Sequence, residues 1–335
     1  MEGEVRLMGT DTKKTLQKPY ALDLSDLRMT REPRRYTFAN DTGDAEITVH
    51  QVFPGITLSY NAVHMDRFEL GSATEGSIIE IHHCREGRIE QQHRDQFFYL
   101  MPGDLSIAIR TRALREYTFP LRHYHGITIT VNTDVAPKCF SCFLKDIAVQ
   151  PLEVARKLCA DGRSHIIRSE SYVEHIFSEL YSVPDSIREG YMKIKILELF
   201  LVLSGIDAGR QEPSPTLSGL QVRVAKEAAA YMAQHMDQRI TIGELADMFH
   251  VSQTHLKQAF KGVYGVPIYS YIRIQKMQTA ALMLIHSERP ILEIANECGY
   301  DNGSKFAGAF KEIMGETPTD YRKAHKKEIA QKMSS

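Results

Sequence analysis

Between Ile242 and Pro318 the chain carries one pattern twice. Ile242, Glu244, Leu245, Ala246, Val251, Leu256, Phe260, Lys261, Gly265 and Pro267 are echoed by Ile291, Glu293, Ile294, Ala295, Tyr300, Phe306, Phe310, Lys311, Gly315 and Pro318. The offset is about 49 residues at first and about 50 after the turn, the length of one supersecondary repeat. Two short helix-turn-helix units are therefore expected, and such a unit enters a DNA groove more often than it does anything else. The bland alternative is a helical interaction module that touches no nucleic acid.

Several independent signals place the helices. Thr241 followed by Glu244 is a capping box, and Leu245, Met248 and Phe249 then recur at helical spacing. Ser252 caps a second helix running to about Tyr264, with Leu256 and Phe260 on its buried face and Gly265 as its stop. In the second copy Pro290 or Ile291 opens a helix and Gly299 ends it. Asn302 caps the next, which buries Phe306, Phe310 and Ile313 and closes at Gly315. Thr317-Pro318 starts a last helix, with proline where its missing donor does no harm. A helix from Pro267 to Ser287, striped by Ile272, Met277, Ala280 and Leu284, joins the copies. Such a connector fixes the spacing of two units that must reach neighbouring major-groove segments about 34 Å apart.

The run Ser252 to Lys261, then Tyr271-Ile272-Arg273, Lys276-Met277 and Ala280, then Ile291 to Ala295 with Gly299-Tyr300, then Phe306, Phe310-Lys311, Gly315 and Thr317 to Arg322 resembles the AraC/XylS transcription-regulator signature over residues 220 to 325. Within that family, Gly303-Ser304-Lys305-Phe306-Ala307 with Ala309-Phe310-Lys311 is similar to the pyochelin-responsive subgroup. The resemblance implies sequence-specific binding to double-stranded DNA by a ligand-responsive regulator, with an operator of two half-sites. It further implies a small-molecule effector, with an iron siderophore foremost beside the sugars, aromatics and peptides that members of similar layout answer to, a homodimer, and RNA polymerase as a further partner of an activator. The implied DNA contacts are Ser252, Gln253, Thr254, Lys257, Gln258 and Lys261 in the first unit and Asn302, Ser304, Lys305 and Lys311 in the second. The family's base-reading places in the first helix fall on Thr254, Lys257 and Gln258. In the second helix Gly303, Ser304, Lys305, Ala307 and Gly308 face outward, and many relatives carry a long polar residue instead of Gly308. Small side chains reach few base edges.

Charge alone would not have decided this. From Leu220 onward there are 15 Lys/Arg and 12 Asp/Glu, which leaves 26 and 30 of the total 41 and 42 for the rest. A mildly basic end is weak support for DNA. At 335 residues, 43% hydrophobic and 25% charged, the chain suits two or three domains with proper cores. No stretch approaches the about eighteen apolar residues of a membrane span, and Met1-Glu2-Gly3-Glu4 lacks the opening of a signal peptide. Five thinly spread cysteines suit a reducing compartment, so a cytoplasmic protein with no membrane partner is expected.

The fold class expected is α+β, with boundaries at 1–145 for a sensor domain, 146–206 for a helical dimerisation segment, 207–220 for a linker and 221–327 for the all-α double helix-turn-helix domain. From Tyr36 to Val131 short β-rich segments alternate with turns at Arg85-Glu86-Gly87 and Pro102-Gly103-Asp104, which predicts a sandwich or barrel. Glu80, Gly87 to Glu90 and Phe98 to Leu105 resemble the cupin-like barrel that precedes many such DNA-binding halves. Its interior is expected to be lined by Ile79, Ile81, Phe98, Leu100, Ile107 and Ile109. His82, Arg88, Phe98 and Arg110 are the expected effector contacts, since an anionic or iron-chelating effector needs a donor or cation among apolar walls. Between Leu152 and Ile206 helical stripes return. Ile196, Leu199, Phe200, Val202 and Leu203 present more apolar surface than one partner helix covers, so they are expected at a dimer interface. Asp207 to Thr216 reads as a polar, proline-containing linker.

Catalytic patterns are thin: no phosphate-cradling glycine loop, no nucleophile elbow and no HExxH. No enzyme activity, catalytic residue or cofactor is expected. The competing class is a cupin-type metal enzyme fused to a helical domain, which loss of activity on chelation would reveal. Of His82 and His83 only one can point into a barrel, because adjacent strand residues face opposite ways. His123-Tyr124-His125 has the HxH spacing of metal-binding cupins but lacks the carboxylate that normally follows, so no metal is expected. Cys139-Phe140-Ser141-Cys142 has redox-motif spacing, but no second pair accompanies it and Phe140 and Phe143 suggest core packing.

Overall fold

The computed structural model describes residues 4–7, 20–22, 32–72, 77–110, 115–140, 148–160, 162–207, 216–238 and 240–332. They divide into two compact units, Met1–Thr216 and Leu217–Ser335.

The first unit holds strands β1 (Glu4–Leu7), β2 (Tyr20–Leu22), β3 (Arg34–Asn40), β4 (Gly43–Phe53), β5 (Ile56–His64), β6 (Arg67–Ser72), β7 (Ile78–Gly87), β8 (Ile89–His93), β9 (Gln96–Leu100), β10 (Leu105–Arg110), β11 (Arg115–Thr118), β12 (Tyr124–Asn132) and β13 (His165–Ile167). Helices α1 (Pro151–Leu158), α2 (Ser171–Ser182) and α3 (Arg188–Gly205) follow or flank β13. One sheet runs β1-β3-β4-β5-β12-β7-β10-β13, and within this unit a second runs β9-β8-β11-β6-β2. The expected closed barrel is corrected to two separate sheets. The larger ladder ends at β1 and β13, and no described pairing joins those edges to the other sheet. The expected turn at Arg85-Glu86-Gly87 is also corrected, since all three residues lie in β7. At Gly87 and Arg88 the chain passes from the larger sheet to the other, and there Gly87 takes φ +80° and a Cβ would stand 1.9 Å from the carbonyl oxygen of His123.

Strand alternation decides which side chain meets which layer. Ile79 and Ile81 of β7, Leu105 and Ile107 of β10, Ile56 and Leu58 of β5 and Ile127, Ile129 and Val131 of β12 share one core with Val173, Ile176, Phe177, Ile196, Leu199, Phe200 and Leu203 of α2 and α3. The alternate residues Cys84, Val63 and Tyr124 belong to a second core with Phe38, Ile47, Phe68, Ile89, Phe98 and Leu100. Ile79, Ile81, Ile107 and Ile109 therefore face the helices, which corrects the expected barrel-interior lining. Phe98 and Leu100 do lie between the sheets. His83 lies flat on Phe177, ring centroids 4.1 Å apart and 1° from parallel, and the Tyr60 hydroxyl donates to the Leu180 carbonyl at 2.7 Å.

The same packing corrects the dimer expectation. Ile196, Leu199, Phe200 and Leu203 are fully buried against the protein's own sheet, so they are domain core. His165–Ile167, inside the stretch read as helical, pairs with β10 as the last strand of the larger sheet. What α3 and the turn before it leave outside is a different stripe: Ile187, Ile194 and Leu201 are 53%, 61% and 40% exposed, with Leu197 half-buried between them.

Cys139 is half-buried, and Phe140 packs 5.6 Å from Phe200; Ser141, Cys142 and Phe143 lie outside the described residues. So do 208–215 of the expected linker. The end of that linker is corrected, because a helix begins inside it: Ser218 caps Gly219–Gln234 in a capping box with Gln221.

The second unit is helical: α4 (Gly219–Gln234), α5 (Ile242–Met248), α6 (Gln253–Tyr264), α7 (Ile268–His286), α8 (Ile291–Glu297), α9 (Gly303–Met314) and α10 (Pro318–Lys332). The connector α7 buries Met277, Ala280, Ala281 and Leu284 against Ile294, Ala295, Cys298, Phe306, Ala309 and Phe310. Among the described residues no helix is long and apolar enough to cross a membrane.

Candidate nucleic-acid interface and effector site

The first helix-turn-helix pair is built from local signals. Thr241 Oγ1 accepts from the Glu244 amide at 3.2 Å while the Thr241 amide donates to Glu244 Oε2 at 2.8 Å, so both free donors are satisfied. These contacts hold the Glu244 carboxyl below the usual range, the backbone amide of Thr241 foremost. Helix α5 ends at Met248; His250 in the turn beyond takes φ +53°, and the Val251 amide reaches back to the Ala246 carbonyl at 2.9 Å. Ser252 Oγ then accepts from the His255 amide at 3.2 Å and opens α6. Gly265, in the left-handed region at φ +79°, closes it.

The second pair repeats this scheme. Gly299 at φ +73° stands where His250 stood, and the Tyr300 amide reaches the Ala295 carbonyl at 2.9 Å. Asn302 Oδ1 accepts from the Ser304 and Lys305 amides at 2.8 and 3.1 Å, and Gly315 closes α9 at φ +85°. Arg273 of α7 forks onto Glu312 of α9, with Nη1 3.1 Å from Oε1.

In α6 the buried side chains are Leu256, Ala259, Phe260, Val263 and Tyr264, and the rings of Phe260, Tyr264 and Tyr271 cluster with centroids 4.4 to 5.2 Å apart, tilted or edge-on to one another. Gln253, Thr254, Lys257, Gln258 and Lys261 are thereby turned outward, and all are exposed. In α9 Phe306, Ala309 and Phe310 are buried, leaving Ser304, Lys305 and Lys311 exposed. Ser252 and Asn302 are exposed too, but their side-chain oxygens are engaged as caps. Gly308 has nothing within 4 Å of where a Cβ would stand, so the outer face of α9 is short of side chains. One helix thus offers amide and ammonium groups that can pair with adenine and guanine edges, the other mainly lysines and backbone amides suited to phosphate.

Residues 245–324 match the family model described as "Helix-turn-helix domain". The right origin-binding protein of Escherichia coli is 32% identical over 104 residues, 31% of this chain and 36% of that protein. The chain thus spans little more than a third of that relative's length. The regulatory protein SoxS of Escherichia coli is 31% identical over 100 residues, which are 30% of this chain and 94% of SoxS. The chain belongs to the AraC/XylS family of DNA-binding transcription regulators. Among solved structures it is similar to the C-terminal domain of AraT, a response regulator from Geobacillus stearothermophilus, at 32% identity, 30% of this chain, 84% of that one and a TM-score of 0.29.

In the first unit of this family member, two of the expected effector residues come together between the sheets. His82 Nδ1 lies 3.0 Å from Thr128 Oγ1, and Asn61 Nδ2 donates to the same oxygen at 2.9 Å. His82 Nε2 and Arg110 Nε stand 3.6 and 3.5 Å from Glu80 Oε2, and the Tyr117 hydroxyl donates to Glu80 Oε1 at 3.1 Å. Both nitrogens are buried without a hydrogen bond in good geometry. Arg88 is not part of this group: its guanidinium sits over Tyr99 at 5.3 Å, and Phe98 belongs to the apolar core. Asn61, Tyr117 and Thr128 carry no mark in the sequence, and Glu80, named there only for the cupin-like resemblance, joins the group because it shares strand parity with His82. A third feature was half seen. His123 and His125 are joined by His64, their ligand atoms within 4.8 Å of one another, and by the Glu86 carboxylate.

Proposed function

We propose that the chain regulates transcription in the bacterial cytoplasm by sequence-specific binding to double-stranded DNA, with α6 reading base edges and α9 holding phosphates. The observation that carries this is the outward row Gln253, Thr254, Lys257, Gln258 and Lys261 on a capped helix of a duplicated helix-turn-helix. A small-molecule effector is taken between the sheets of the first unit, where Arg110 and His82 supply a cation and an imidazole beside Glu80. The subgroup resemblance makes an iron siderophore the class of effector, since its acidic oxygens suit those groups. A second copy pairs along Ile187, Ile194 and Leu201, whose seven-residue spacing is that of a helical seam. RNA polymerase is the further partner of an activator of this kind.

Selection of bound sequences by the full chain from a random duplex pool tests this. The wild type is expected to enrich a motif of two half-sites, and the Ile194→Glu variant a single half-site. No enrichment over the starting pool would defeat the DNA reading, and an unchanged two-part motif with Ile194→Glu would defeat the seam.

A further inference from the structure

Three neighbouring strands of the larger sheet, in the order β5-β12-β7, end side by side and bring four ligand-type side chains to one corner. His64 is the last residue of β5, His123 and His125 flank the start of β12, and Glu86 is next to last in β7. The ring centroids of His64 lie 5.4 and 5.2 Å from those of His123 and His125, which are themselves 4.6 Å apart. Glu86 Oε2 is 3.4 Å from His123 Nε2 and 3.6 Å from His125 Nδ1.

A bulge makes this convergence possible. Gly126 pairs with Cys84 but His125 pairs with Glu86, so Arg85 is an extra residue in β7. Without it Glu86 would share the inward face of Cys84; with it the carboxylate stands directly across from His125. Arg85 Nε takes the other carboxylate oxygen, Oε1, at 3.5 Å, which leaves Oε2 turned to the histidines. Gly43 adds to the arrangement, since a Cβ there would stand 1.9 Å from the carbonyl oxygen of His64.

We propose that His64, His123, His125 and Glu86 form a binding site for one divalent transition-metal ion of the zinc class. Three imidazoles and one carboxylate suit a borderline ion such as Zn2+, Co2+ or Ni2+ and not Mg2+ or Ca2+, which take oxygen ligands. Ligand bonds of about 2.0–2.1 Å in a tetrahedron put ligand atoms about 3.4 Å apart. The ligand nitrogens of the three histidines already lie within 4.8 Å of one another, close to that spacing. His125 Nε2 is buried with no hydrogen-bond partner, a nitrogen a metal would satisfy. The ion would clamp β5, β12 and β7 together at one end of the sheet.

Cobalt titration of the full chain, stripped with chelator and free of any purification tag, tests the site. One equivalent of Co2+ is expected to give the intense visible absorption of a four-coordinate centre, and Zn2+ to abolish it by displacement, while Mg2+ in excess leaves it intact. His64→Ala should weaken that equivalent by at least about 10- to 100-fold, and because His64 is exposed the fold survives the change. Glu86→Gln should keep cobalt bound more weakly with an altered spectrum, and His250→Ala, in the second unit, should change nothing. Absence of a saturable first equivalent would overturn the proposal. So would a first equivalent unchanged in the His64→Ala, His123→Ala, His125→Ala triple variant, which would mark the metal as bound elsewhere.

Discussion

Replacing Phe310 with alanine is expected to cost about 3–5 kcal/mol and to dismantle the second helix-turn-helix. Phe310 is fully buried, its ring 5.9 Å from Phe306 and 5.4 Å edge-on from Tyr321, within the core that ties α7, α8 and α9 together. Its removal leaves a cavity bounded by three helices that cannot all close on it. Hydrogen exchange of the full chain checks this: peptides within 291–325 should lose protection while peptides of β7 and β12 keep theirs. The neighbouring Lys311→Ala, on the exposed face, is the contrast and should leave exchange unchanged. Equal protection in Phe310→Ala and wild type would mean that this core contributes far less than its burial implies.

The second large effect is a loss of stability in mild acid, centred on His83. Burial against Phe177 drives its pKa from 6.5 down to about 4, so the folded ring stays neutral where the unfolded one is charged. Below pH 6.5 the unfolded chain takes up a proton that the native state refuses until about pH 4. Stability from this group is therefore complete above pH 6.5 and falls steadily towards pH 4, by about 3 kcal/mol in all. Urea midpoints of the full chain at about pH 7 and about pH 5 should show the loss, and His83→Leu should remove most of it. His50, lowered by burial and then by Arg188, acts in the same direction and leaves a smaller slope in the variant. A His83→Leu protein as acid-sensitive as wild type would refute the assignment.

The helical half was legible because its signals are local. Caps at Thr241, Ser252 and Asn302 and stops at Gly265 and Gly315 act within one turn of where they stand, and the buried positions of α6 follow from spacing alone. The β half was legible as strands but not as layers. Alternation in β7 separates Ile79 and Ile81 from Glu80 and His82, yet it does not say which face is covered by what. The usual rule that apolar residues point into a barrel failed because α2 and α3 cover the outer face and make it the more apolar one. The same cover explains why the surplus of Leu199, Phe200 and Leu203 needed no second chain. The four-residue corner at His64 was out of reach for another reason: it depends on cross-strand register and on a one-residue bulge at Arg85, neither of which leaves a mark on spacing.

The central claim is that α6 carries sequence information and α9 mainly grips the backbone. Binding of the full chain to its selected site and to random duplex, measured over a range of salt for Gln258→Ala and Lys311→Ala, tests it most directly. Gln258→Ala should lose about 1–3 kcal/mol on the selected site and little on random DNA, narrowing the specificity ratio. Lys311→Ala should weaken both alike and lower the salt slope by about one. Equal losses on specific and random DNA for Gln258→Ala would contradict the account.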